Sequence, residues 1–101
     1  MVLDLADVAR RQGMQGKALH YYRAVLADDP QNLAAIGGEG GALAEKGALD
    51  KARLDLAKLQ GLCGTDCASA RDLAALIDNA AAKTRVVSAE ALAPAPKVTT
   101  N

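Results

Sequence analysis

The sequence predicts an all-α fold, and three observations carry that prediction. Half of the residues are hydrophobic, but Ala and Leu dominate that half, with two Tyr and neither Phe nor Trp. Ala and Leu head the helix propensity scale, whereas strands favour the β-branched and aromatic residues that are scarce here. Apolar residues also recur at helical spacing, as in ASARDLAALIDNAAAK, where Leu73, Leu76 and Ile77 share one face and Arg71, Asp72 and Lys83 take the other. Finally, the chain repeats itself: Gly13 and Ala18 are echoed by Gly47 and Ala52, both at a spacing of 34 residues.

The pattern places helices near residues 2–12, 15–28, 31–46, 49–62 and 68–83. Gly13 and Gly47 close the first and third, because glycine adopts the left-handed conformation that ends a helix, and a new apolar period follows each. Ala18 and Ala52 lack bulk and let a paired helix approach, while Tyr22 and Leu56 fill the space one turn later. Pro30 follows two aspartates and has no amide hydrogen to donate. It suits the first turn of the third helix, with Asp29 as N-cap. The fifth helix, 68–83, reads as a cap that completes a helical domain of residues 1–83. From Thr84 the sequence RVVSAEALAPAPKVTTN is expected to form a flexible tail, its Ala-Pro pairs favouring extended polyproline backbone.

The 34-residue period and the residues that carry it resemble the tetratricopeptide repeat family, in particular its short bacterial forms. Leu5, Ala6 and Ala9 match the first helix of that unit. GKALHYYRAVLADDP matches its second, with small Ala18, the ring of Tyr22, apolar Val25 and Leu26, and closing Pro30. A second copy follows with Ile36, Gly40, Leu43, Ala52 and Leu56, although Glu39 stands at an apolar position and Gly64 at that of the proline. The resemblance covers about residues 1–66 and extends more loosely to 83. It implies antiparallel helix hairpins stacked as a short right-handed α-solenoid, two units (about 1–32 and 33–66) plus a cap helix. It also implies that the first helix of each unit lines a concave, partner-binding face. Here that face would include Asp7, Arg10, Arg11, Gly37, Gly41 and Glu45. The lysine and asparagine clamp of the family's chaperone-tail binders has no counterpart on this surface.

Charge names no partner. Twelve basic and twelve acidic residues balance, so there is no electrostatic footprint for nucleic acid or anionic lipid. No apolar run reaches the roughly 20 residues of a membrane-spanning helix, and MVLDLADVARRQG lacks the basic start of a signal peptide.

GGEGG at 37–41 has the composition of a phosphate-cradling loop but not its context. A dinucleotide fingerprint needs a preceding strand and a third glycine at fixed spacing, and a Walker loop needs Lys followed by Ser or Thr. The glycines read instead as interior residues of the third helix, where another helix or a ligand comes close. Cys63 and Cys67 flank GTD. Three intervening residues exclude a C-x-x-C redox motif, and two thiolates fall short of a four-ligand zinc site. They form either a disulfide stapling the cap helix to the second repeat or a pair of reduced, half-buried thiols. The first would suit a periplasmic or otherwise exported protein, the second a cytoplasmic one. His20 is the only histidine and reads as solvated. No nucleophile, base or Ser-His-Asp spacing is recognisable beside it.

These readings predict a non-enzymatic module with no cofactor, binding another protein or peptide as scaffold, adaptor or subunit of a larger assembly. Two repeats and a cap fall short of the three or more units that usually stabilise such arrays, so a partner is expected to cover apolar surface. Two alternatives remain: self-association through the N-terminal helix, and a small-ligand carrier using GGEGG as its floor.

Overall fold

The computed structural model describes residues 2–92, and their side chains as far as Lys83. It is all-helical: α1 (Val2–Arg11), α2 (Gln15–Asp28), α3 (Leu33–Glu45), α4 (Leu49–Cys63) and α5 (Ala68–Leu92). Each helix packs on the next. In addition α3 touches both α1 and α5, so the odd-numbered helices form one layer backed by α2 and α4.

Two turns organise this stacking, and they are the same turn made twice. Gly13 and Gly47 adopt φ of 81° and 88°. The Gly13 N–H donates to the Arg10 carbonyl (3.0 Å) and the Met14 N–H to that of Ala9 (2.9 Å). At the second turn Gly47 donates to Ala44 (3.0 Å) and Ala48 to Leu43 (2.8 Å). This double bond pair is the Schellman closure, which satisfies the last carbonyls of a helix while reversing the chain. Ala18 and Ala52, five residues past these glycines, are both fully buried.

The α2–α3 connection departs from expectation. Asn32, not Asp29, caps α3: its side chain accepts from the Ala35 N–H at 2.9 Å. Asp29 instead terminates α2, and its carboxylate accepts from the Asn32 side-chain amide at 3.2 Å. Pro30 sits in the intervening turn, closed by the Asn32 N–H on the Asp29 carbonyl (3.1 Å), so α3 begins two residues later than its proline suggests.

The core runs through all five helices, with Tyr22, Ile36, Leu59 and Leu73 its largest fully buried side chains. Leu56 packs against it only half-buried, and the fully inward face of α4 is Ala52, Asp55 and Leu59. Tyr22 has a socket at Gly38; the position 34 residues on from that glycine is Asp72, which bears a side chain and offers Leu56 no such space. Gly64 ends α4 at φ 89°, ψ 163°, a region essentially reserved for glycine. Beside it the Cys63 and Cys67 sulfurs stand at bonding distance, with Cα atoms 5.8 Å apart.

α5 continues past Lys83 to Leu92. Residues 84–92 contain no proline, and Ala89, Glu90, Ala91 and Leu92 are strong helix formers. Pro94 and Pro96 lie outside the described residues.

Candidate functional site

The GGEGG segment is helical, and its glycines are contact points. A side chain at Gly38 would lie within the Tyr22 ring, with Cβ 2.8 Å from Cδ1 and closer still to its neighbours. At Gly40 it would meet Leu73 Cδ2 at 2.6 Å, and at Gly41 it would strike the Arg10 guanidinium. Removing three side chains from one helix therefore lets α2, α5 and α1 each press onto α3. Gly37 differs: its nearest neighbour would be Leu59 Cδ1 at 3.8 Å, an ordinary contact.

Because Gly38 is bare, Tyr22 passes beneath α3 and its hydroxyl donates to the Asp7 carboxylate on α1. Burial, then this hydrogen bond, raises the phenol above its usual range, so it stays protonated and remains a donor. Arg10 lies across Gly41 and its Nε is 3.6 Å from Glu45 Oε1.

Between α1 and α5, over the bare side of α3, runs a groove of about 200 Å³. Asp7 and Arg10 form one wall, Ala34, Gly37 and Gly38 the floor, and Ser69, Asp72 and Leu76 the other wall. A second hollow of about 340 Å³ continues it past Leu76, bounded by Glu45, Lys46, Asn79 and Lys83. Of the residues singled out in sequence, Asp7, Arg10 and Gly37 line the first groove, and Glu45 lines the second. Gly41 is buried beneath Arg10, and Arg11 is exposed and lines neither. The α5 wall was not anticipated. Its signal was the same 34-residue offset, which carries the α3 floor onto the first turns of α5.

His20 is exposed, its ring beside that of Tyr21 at a centroid distance of 5.8 Å. No helix among the described residues is long and apolar enough to cross a membrane. The chain matches no protein-family model, no curated protein and no solved structure.

Proposed function

We propose that this chain is a non-enzymatic interaction module of the tetratricopeptide type, which holds a segment of another protein along the α1, α3 and α5 layer. The observation that carries this reading is the groove itself: three successive odd-numbered helices converge on a trough floored by near-bare helix backbone. The duplicated Schellman turns and the alternation of packing support the repeat assignment. The walls combine carboxylates, a guanidinium, a hydroxyl and leucines, a mixture that suits peptide recognition better than an apolar ligand pocket. The small-ligand alternative is weakened because Gly38 is already filled from behind by Tyr22.

A photo-crosslinking amino acid at exposed Ala34 in the groove, compared with one at exposed Ala57 on α4, tests the reading in cells. A discrete protein adduct is expected at Ala34, weakened by Arg10→Glu, and none at Ala57. Capture at Ala57 with none at Ala34 would overturn the proposal.

A second reading rests on a separate observation. Leu5, Val8 and Met14 are 53%, 42% and 41% exposed, and with Tyr21 they border a shallow hollow on the outer side of α1 and α2. A second copy packing there would make the chain a self-associating subunit. Light scattering that finds a stable monomer at high concentration excludes it.

A further inference from the structure

Asp55 is the one buried charged residue of the core among the described residues, 4% exposed where α3 and α4 cross. On the α3 side it is closely packed: a Cβ on Gly40 would be 3.1 Å from Asp55 Cβ and would also strike Leu73 of α5. Its Oδ2 is buried without a donor. Three charged groups face it. From α3 comes Glu39, itself 13% exposed and in hydrogen-bonding contact with Asp55; from α2 comes Arg23; from α4 itself comes Lys58. Arg23 is already engaged, its Nε donating to Glu39 Oε2 at 2.9 Å. Lys58 stands 3.9 Å from Asp55 Oδ1 and is 56% exposed, so water screens it. Two carboxylates so placed cannot hydrogen-bond to each other unless one carries a proton.

We infer that Asp55 keeps its proton in the folded protein and donates it to Glu39, and that this bond clasps α3 to α4, making the module tighter in mildly acidic than in mildly alkaline surroundings. The proposal does not rest on the groove reading, although it concerns the same helix. Desolvation, then the Glu39 contact, moves Asp55 from the ordinary carboxylate value of 3.8 up to about 7. The folded chain therefore keeps its proton at pH values where the unfolded chain has released it. The stabilisation is complete below about 4, declines as pH rises, and is lost above about 7. Deprotonation leaves a buried charge with an occupied arginine and an exposed lysine as its only cations, and the α3–α4 contact is the one that loosens.

Two measurements test this. Carboxyl ¹³C resonances of the wild-type chain should show Asp55 titrating near neutrality. Between pH 5 and pH 8 the wild-type unfolding constant should rise about 100-fold more than that of Asp55→Asn, which donates permanently to Glu39. Parallel pH profiles for the two proteins, or an Asp55 carboxyl titrating at its ordinary value of 3.8, would overturn the inference. Should Asp55→Asn fail to fold, the carboxyl titration of the wild-type chain decides alone.

Discussion

Gly37 and Gly38 are neighbours on one helix, and the same substitution at each should have opposite effects. Glycine in a helix interior costs about 0.8 to 1.0 kcal/mol relative to alanine, so Gly37→Ala recovers that amount. Its methyl group meets only Leu59 at 3.8 Å, so the variant should be more stable by about 1 kcal/mol. Gly38→Ala gains the same helix propensity but drives a methyl into the Tyr22 ring, which is rigid and fully buried. Overpacking of this kind costs about 1 to 3 kcal/mol. Displacing the ring also breaks its hydrogen bond to Asp7, a bond to a charged acceptor worth about 1.5 to 3 kcal/mol. Net destabilisation should therefore be about 1.5 to 5 kcal/mol, and the two variants should differ by about 2.5 to 6 kcal/mol. Urea unfolding at neutral pH, followed by circular dichroism, measures that difference. Equal stabilities would refute the argument, because they would mean Tyr22 does not pass beneath α3.

Other contacts give smaller predictions by the same assay. Tyr22→Phe keeps the ring in its socket but strands the Asp7 carboxylate, and should cost about 1.5 to 3 kcal/mol. Asn32→Ala removes the α3 cap and should cost about 1 kcal/mol, with faster amide exchange at Ala35; an unchanged Ala35 rate would restore Asp29 as the cap. Replacing Cys63 and Cys67 by serine should cost about 2 kcal/mol, since a cross-link spanning a separation of only 4 residues removes little chain entropy. Thiol titration of the unreduced protein should find no reactive sulfhydryl, and two would contradict the staple.

What the sequence disclosed depended on whether a role leaves a signature in one residue type. A helix end in left-handed backbone calls for glycine, and a tight helix crossing calls for alanine, so Gly13, Gly47, Ala18 and Ala52 were legible. The cap of α3 was not, because Asp29 and Asn32 are both good caps and only the turn between them decides which one the helix uses. Burial of Asp55 was hidden as well. Leu56, beside it, is the better core residue by type, and only the small size of Gly40 lets the α4 backbone bring the aspartate inward. The groove was half legible: Asp7, Arg10 and Gly37 were among the residues singled out, whereas Ser69 and Asp72 required knowing that α5 packs against α3 on the side where α1 also touches it.

The central claim is that a partner segment lies along α1, α3 and α5. Amide chemical-shift mapping of the isotope-labelled chain, titrated with the segment recovered by crosslinking at Ala34, tests it most directly. The account predicts shifts concentrated in 7–10, 33–41 and 69–76, with the outward faces of α2 and α4 silent. Shifts centred on Leu54 and Ala57 of α4, with Gly37 and Asp72 unmoved, would contradict it.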